Sequence, residues 1–388
     1  MPNILFPRTK LITKFWELLA STTSQYIAIV WGTGVGKSHF VELLKNSEIL
    51  SGYRIESIFV TNESPLESVT LSNSEANLIF IDSDILLNID TIRTFIVSKS
   101  PESKIIFTSK VMIEMSDIEN FVISGISYRE YAEWVGEIID VGNIMSGNSD
   151  ISWQNELRDI YIHLGQYADN LSDPEHIHIS FDEKITIMNQ ELFKKEEWDF
   201  IEFIRTLAMN VGDIFKEDRI AKMMNISRRK VKKYTEILLN HHVIKAVGPW
   251  VENPATELSR HVKVYFSDLS YFHAALGVGY YHGEGKQGVI ENFVLLELDR
   301  KLASTHGIRF YRKKSGAEIS FLLIERSSGK ITPIEITTRS TDIIPQSLSI
   351  FIETYGSRID HAMFMNDTIA KQKTSGATPV IVLPHIAI

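Results

Sequence analysis

The 388-residue chain contains no cysteine, which removes disulfides, thiol nucleophiles and thiolate metal sites together. It has no run of about 18 uninterrupted apolar residues, so nothing in it reads as a membrane span. The N-terminus, MPNILFPRTKLITKFWELL, sets Arg8, Lys10 and Lys14 among its apolar residues. A secretory signal needs an unbroken apolar core and a small-residue cleavage site, and neither is there. The expected location is the cytoplasm, and a cysteine-free chain fits a reducing compartment. Positive charge is in deficit: 40 Lys+Arg stand against 49 Asp+Glu, a formal net charge of -9. That argues against a protein that coats nucleic acid with its whole surface, while leaving room for a local basic patch. Internal repeats and low-complexity segments are absent as well. What remains, 44% hydrophobic and 23% charged residues, is the composition of a globular protein too long for one ordinary core.

The expected fold class is multidomain α/β. Tyr26-Ile27-Ala28-Ile29-Val30 is an apolar, β-branched run that reads as a buried strand. It leads into Gly32-Thr33-Gly34-Val35-Gly36-Lys37-Ser38, after which residues 39–45 have helical spacing with Phe40, Leu43 and Leu44 on one face. Further strands are expected over residues 54–60, 78–81 and 104–107. Strands alternating with helical segments imply a parallel sheet whose functional residues sit at the carboxyl ends of its strands. That layer is expected to close near Tyr131 to Trp134. The stretch DVGNIMSGNSD, Asp140 to Asp150, reads as a linker. Helical patterns such as Trp153 to Leu164 follow, then a helical unit from Asp199 to about Gly248, and strands return over 262–266, 309–311, 318–324, 331–337 and 380–383.

The glycine-rich stretch carries the main chemistry. Consecutive backbone N–H groups can curl around a phosphate only where glycines relieve the steric conflict, and the following helix adds unpaired N–H groups and its positive dipole end. Gly32, Thr33, Gly34, Val35, Gly36, Lys37, Ser38 and His39 are the expected nucleotide-binding residues. Lys37 would reach the β- and γ-phosphates and Ser38 would supply an oxygen to Mg²⁺. The usual pattern is G-x-x-x-x-G-K-[ST]; here Trp31 occupies its first glycine position. Asp82, ending a strand, lies where an acid would hold Mg²⁺ through water. Hydrolysing proteins often place a glutamate directly after it, where this chain has Ser83 and then Asp84. Either Asp84 orients the water, with Lys37, Asp82 and Asp84 as the catalytic set for ATP plus water to ADP plus phosphate, or hydrolysis is slow. Thr108 and Ser109 either sense the γ-phosphate or are polar strand ends.

Asn225-Ile226-Ser227 reads as a turn and helix N-cap. The next helix carries Arg228, Arg229, Lys230, Lys232 and Lys233, with Glu236 as the one nearby acid, while Val231, Ile237 and Leu238 keep an apolar face. Helix, turn, helix and the strand near Val243 to Val247 suggest a winged helix whose cations meet phosphates of double-stranded DNA. The alternative is a docking module for another part of the chain. His176, His178, His241 and His242 are not joined by acids at a metal-ligand spacing and read as core or surface histidines.

Taken together, the loop at 31–38, LIFID at 78–82, IIFTS at 105–109, ISYREY at 126–131, VYFSDL at 264–269 and GVIENFV at 288–294 resemble prokaryotic AAA-like (archaeal-type) P-loop ATPases with a C-terminal domain of unknown function. The resemblance implies a winged helix in the middle and a restriction-endonuclease-like fold at the C-terminus. The family signature resembles G-x-E-x-D-F followed by P-x-E-x-K. This chain has Ser320 in place of the metal-binding aspartate and Thr337 in place of the lysine, leaving Glu291, Glu318 and Glu335. A serine supplies no negative charge for Mg²⁺, so the domain is expected to be nuclease-like without nuclease activity. Arg309, Arg312, Lys313 and Lys314 either support nucleic-acid binding or are solvated strand-end charges. The expected domains are 1–145 (P-loop ATPase), 146–198 (helical linker or lid), 199–258 (winged helix) and 259–388 (nuclease-like). The expected partners are a nucleotide, DNA, and a protein or second copy, with no membrane.

Overall fold

The computed structural model describes residues 9–31, 40–41, 43–44, 53–60, 64–71, 76–83, 88–99, 101–109, 113, 115–123, 125–147, 150–166, 171, 182, 185–186, 198–252, 261–277, 286–313 and 316–388. The chain divides into two compact units, Met1–Gly125 and Ile126–Ile388.

The first unit holds helix α1 (Thr9–Ser21), strands β1 (Tyr26–Trp31), β2 (Ile55–Val60) and β3 (Leu78–Ser83), helix α2 (Ile89–Lys99), and strands β4 (Lys104–Ser109) and β5 (Ile118–Ile123). Its strands form one sheet in the order β2-β3-β4-β1-β5, every pairing parallel. This is a sheet of the kind that P-loop nucleotide-binding proteins use. Continuous apolar runs form its centre because both faces are covered. On one face Ala28, Val30, Ile79, Ile81, Ile105 and Phe107 pack with Ile92, Phe95 and Ile96 of α2. Beyond the sheet, Phe15 of α1 meets Phe121 edge-on at 5.1 Å, and Phe40 stacks on Phe121 at 5.9 Å. Phe40 thus anchors the chain where it emerges from the glycine-rich stretch. Strand β5, which the sequence pattern does not predict, pairs along the far side of β1.

The second unit opens with α3 (Tyr128–Trp134), started by a capping box in which Ser127 and Glu130 satisfy each other's backbone N–H groups. The stretch expected to be a linker instead contains α4 (Val141–Met145), because the Asp140 side chain caps the N–H of Asn143 and Ile144 is buried. Then come α5 (Ser152–Leu164), α6 (Trp198–Met209), α7 (Glu217–Met224), α8 (Arg228–Asn240) and the antiparallel strands β6 (Ile244–Val247) and β7 (Lys263–Phe266). Asn225 turns the chain in the left-handed region (φ 54), and Ser227 caps α8 through the Lys230 N–H. Ile214, between α6 and α7, bridges to Lys263 as a third, minimal strand. Val231, Tyr234 and Leu238 pack this helix–turn–helix against Phe200 and Phe203 of α6, with both rings in contact with Tyr234.

Helices α9 (Leu269–Leu276) and α10 (Lys286–Leu302) lead into β8 (His306–Arg312), β9 (Glu318–Glu325), β10 (Ile331–Ile336), helix α11 (Gln346–Tyr355), and strands β11 (Ala362–Asn366), β12 (Lys371–Ser375) and β13 (Thr378–Pro384). They make a six-stranded mixed sheet in the order β12-β13-β11-β10-β9-β8. Strands β8, β9 and β10 run antiparallel, β10, β11 and β13 parallel, and β12 antiparallel at the edge. The β6–β7 connection starts on this sheet: Phe310 N–H donates to Gly248 O at 3.1 Å and Trp250 N–H to Phe310 O at 2.6 Å. Trp250 is buried against Phe351 and Tyr355 in the sheet's core.

Candidate functional site

In the first unit, the connection from β1 departs towards β2 and that from β4 crosses back to β5. The connections therefore part beside the carboxyl end of β1, the place where open parallel sheets bind ligands. Gly32, Thr33, Gly34, Val35, Gly36, Lys37, Ser38, His39 and Asp84 lie outside the described residues. What is described is the edge they adjoin. Register pairs Val30 of β1 with Ser109 of β4 and Ile81 of β3 with Phe107 of β4, so three strand ends lie side by side. There the Thr108 hydroxyl donates to Asp82 Oδ1 at 3.1 Å, and the Ser83 N–H donates to the same oxygen at 2.9 Å. Thr108 Oγ1 also accepts from Ser83 N–H at 3.0 Å. Asp82 is half-buried, and these bonds fix the orientation of its carboxylate. Ser83 is buried, its hydroxyl donating to Val60 O at 3.3 Å, so it faces the sheet. The Asp82 carboxylate with the Thr108 hydroxyl beside it offers hard oxygen donors of the kind Mg²⁺ takes.

In the second unit, α8 presents Arg229, Lys232 and Lys233 to solvent. The fold brings it more acids than the local sequence counts. Arg228 Nε lies 2.7 Å from Glu217 and 3.6 Å from Asp218 of α7, Lys230 Nζ is 2.5 Å from Asp199 of α6, and Lys232 is 3.8 Å from Glu236. Exposed pairs of this kind are screened by solvent and contribute little, so they trim the basic face without abolishing it. Arg312 is paired with Glu318 at 2.8 Å; Arg309 Nη1 donates to Ile308 O at 3.0 Å; Lys314 lies outside the described residues.

A third cluster lies where α10 crosses the six-stranded sheet. Lys263 is 3% exposed, with Nζ 3.2 Å from Glu291 Oε2 and 2.5 Å from Glu318 Oε1. Burial opposes its charge, but attraction by Glu291 and Glu318 outweighs this and raises its pKa above the usual lysine value. Tyr265 Oη donates to Glu291 Oε2 at 2.9 Å and Gln287 Nε2 to Glu291 Oε1 at 3.1 Å. Ser320 donates its N–H to Glu335 at 3.0 Å, and its hydroxyl reaches Glu291 at 3.5 Å. Burial, only partly offset by that N–H, and then the neighbouring Glu291 and Glu318 push Glu335 up to about 8. Thr337 is engaged through its backbone, its N–H donating to Met365 O at 2.9 Å. His176 and His178 lie outside the described residues; His241 and His242 end α8. Among the described residues, no group of three or more His, Asp or Glu is arranged to hold a metal ion, and no helix is long and apolar enough to cross a membrane.

Comparison with known proteins matches residues 190–281 to a domain of unknown function, DUF8612, and residues 286–386 to a second, DUF4143. An uncharacterised protein of Mycobacterium bovis and one of Mycobacterium tuberculosis are each 25% identical over 174 residues, 42% of this chain and 39% of theirs. The match thus spans about two fifths of the length of these relatives. Two solved structures also align. AMPPCP-bound DnaA from Aquifex aeolicus aligns at 13% identity and TM-score 0.26, over 59% of this chain and 86% of that one. A DNA replication initiation factor aligns at 12% identity and TM-score 0.26, over 60% and 77%. At that TM-score neither likeness establishes a shared fold, and the class of the first unit stands on its own strand order.

Proposed function

We propose that the first unit binds ATP with Mg²⁺ and that its nucleotide state sets how the second unit engages double-stranded DNA or a protein partner. The observation that carries this reading is the Asp82–Thr108 pair at 3.1 Å, on adjacent carboxyl ends of a parallel sheet beside the strand that enters the glycine-rich stretch. In this reading Gly32, Thr33, Gly34, Val35, Gly36 and His39 wrap the phosphates with backbone N–H groups. Lys37 meets the charge on the β- and γ-phosphates. Ser38 and Asp82 hold Mg²⁺, which when bound would neutralise phosphate charge, and Thr108 keeps the Asp82 carboxylate aimed. With Ser83 turned into the sheet, Asp84 is the acid left to orient water, and turnover is slow. Helices α6–α8 with the β6–β7 hairpin act as a winged helix, Arg229, Lys232 and Lys233 facing DNA phosphates, with Arg228 and Lys230 shared with acids of the unit itself. The six-stranded sheet is nuclease-like without cleavage chemistry, because Ser320 and Thr337 stand where an acid and a lysine would be needed.

A second reading is favoured by the anchoring of Gly248–Trp250 on β8 and of Lys263 between Glu291 and Glu318. The helical unit then docks within its own chain, and the nucleotide controls a protein partner or a second copy.

The test is calorimetric binding of MgATP and steady-state turnover, with and without duplex DNA, beside Lys37→Ala. Lys37→Ala should lower ATP affinity by about tenfold or more, as expected when a charge-assisted hydrogen bond is removed. Retained affinity in that variant would overturn the nucleotide site. Turnover stimulated by DNA favours the DNA-coupled ATPase; tight binding without turnover favours a non-hydrolysing regulator.

A further inference from the structure

We infer that Lys263 is an internal cation: its ammonium fills the acid cluster of the six-stranded sheet and makes that cluster a joint for the β6–β7 hairpin, in place of a bound divalent ion. Three elements meet there, each supplying one charge. Lys263 comes from β7, Glu291 from α10 and Glu318 from β9, with the ammonium 3.2 Å and 2.5 Å from the two carboxylates.

Neither side of this joint is stable alone. An ammonium 3% exposed without its carboxylates would be an uncompensated buried charge, and the carboxylates without it would repel one another in a poorly solvated place. The remaining valences are already committed. Glu291 accepts from Tyr265 Oη at 2.9 Å and Gln287 Nε2 at 3.1 Å, Glu318 from Arg312 at 2.8 Å, and Glu335 from the Ser320 N–H at 3.0 Å. A divalent ion would have to displace a cation covalently tethered to a strand that is itself held in place. Residues 263–266 are laddered to β6, Ile214 bridges to Lys263, and Asn292 of α10 takes both the N–H and the C=O of Phe266, each at 2.8 Å. The ammonium therefore does structurally what a metal would do, drawing carboxylates from separate elements together, but it also fastens the helix–turn–helix to the sheet. This inference does not depend on nucleotide binding by the first unit, and nothing in its test involves nucleotide.

The experiment uses the full chain without nucleotide and two readouts. The first is Mn²⁺ binding followed by loss of the free-ion electron paramagnetic resonance signal, in the wild type and in Glu291→Gln. The second is amide hydrogen exchange at Val264–Phe266 in the wild type, Lys263→Met and Lys263→Met/Glu291→Gln. The expected result is that Glu291→Gln leaves Mn²⁺ binding unchanged. Exchange at Val264–Phe266 should rise about a hundredfold in Lys263→Met, the change that breaking a buried ion pair implies, and fall back part of the way in the double variant. Mn²⁺ binding that disappears in Glu291→Gln would overturn the inference, as would unchanged exchange in Lys263→Met. If Lys263→Met does not fold, the Mn²⁺ comparison between wild type and Glu291→Gln decides between an internal cation and a metal site.

Discussion

Replacing Gly288 by alanine sets two effects against each other. In a helix, Ala is preferred to Gly by about 1 kcal/mol, and Gly288 lies in the first turn of α10, so propensity alone favours the change. Sterics oppose it. A Cβ on Gly288 would lie 2.1 Å from the carbonyl oxygen of Val211, 3.0 Å from its carbonyl carbon and 3.2 Å from its Cγ1. Carbon and oxygen ordinarily come no closer than about 3.3 Å, so the helix must retreat by about 1 Å. The opposing surface is backbone rather than a side chain that can swing aside. The Gly212 N–H is bonded to Val264 O at 3.2 Å, and Gly212 has φ +79 with its own Cβ position 3.0 Å from the Gly288 Cα. A retreat of α10 also stretches the bonds its next turn makes to β7, from Tyr265 to Glu291 and between Asn292 and Phe266. Overpacking costs about 1–3 kcal/mol and each weakened buried hydrogen bond about 1 kcal/mol. The net expectation is a loss of about 2–4 kcal/mol, sterics outweighing propensity. A chain of two compact units need not melt in one step, so the assay is local: exchange of the Phe266 amide, whose acceptor is Asn292 Oδ1. Gly307→Ala is the control, since nothing lies within 4 Å of its Cβ position. Exchange in Gly288→Ala as slow as in the wild type would refute the account of why α10 and the loop at Val211 each carry a glycine.

Two further outcomes are expected. Glu335 titrates near 8 in the folded chain against an ordinary 4.5. A carboxyl whose folded pKa is raised gives stability that is complete below 4.5 and is lost as pH rises through about 8. At about 1.4 kcal/mol per pH unit the ceiling is about 5 kcal/mol. Glu335→Gln, which needs no proton, should flatten the fall between pH 5 and pH 8.5 in the melting temperature of the transition that unfolds the second unit, and an unchanged slope would refute the burial argument. On α8, Arg229→Glu/Lys232→Glu should weaken DNA binding and reduce the salt slope by about 0.9 for each phosphate that is no longer neutralised. Arg228→Glu should do less, because Glu217 already holds that guanidinium; unchanged isotherms in the double variant would remove α8 from DNA engagement.

The strands that carry the candidate nucleotide edge were legible because a strand buried on both faces is written as a continuous β-branched run, as in Ile27–Val30 and Leu78–Ile81. Strand β5 was not, since Glu119 and Asn120 interrupt it; the fold uses Asn120 to bond both the N–H and the C=O of Ile113. Strand β12 (KQKTS) is a polar sheet edge with no apolar alternation. Helix α4 was hidden by Gly142 and Gly147, and its signal was the Asp140 cap, which reads equally well as a turn. The charge balance of α8 was misjudged for a different reason. The partners of Arg228 and Lys230 lie 11 and 31 residues away, and pairing at that separation is a property of tertiary structure alone. Lys263 was missed because a lysine opening a short strand is ordinarily exposed. The surplus of Glu291, Glu318 and Glu335 was the one hint that a buried cation was wanted.

The segments that carried the family resemblance in the second unit prove, in three dimensions, to be fasteners. Ser127 and Glu130 form the capping box of α3, and the N–H of Tyr128 donates to Glu297 Oε1 at 3.0 Å. Asp268 is fully buried; it caps α9 through Ser270 and accepts the Gln166 N–H at 2.8 Å. Gly288 permits the close approach to Val211, Glu291 takes Lys263 and Tyr265, and Asn292 completes the edge of Phe266. Two of these residue types answer directly to their joints: the short asparagine amide pairs both the N–H and the C=O of one backbone residue, and no residue but glycine admits a carbonyl at the Cβ position. A motif built of such residues specifies how the helix–turn–helix sits on the six-stranded sheet and says nothing by itself about a reaction. The chemistry must therefore be sought where polar groups are oriented without being consumed by packing. In the reading proposed above the binding groups are those of the carboxyl edge at Asp82 and Thr108 and the exposed cations of α8, and a variant at either should change binding while leaving the joints, and the exchange of Phe266, untouched.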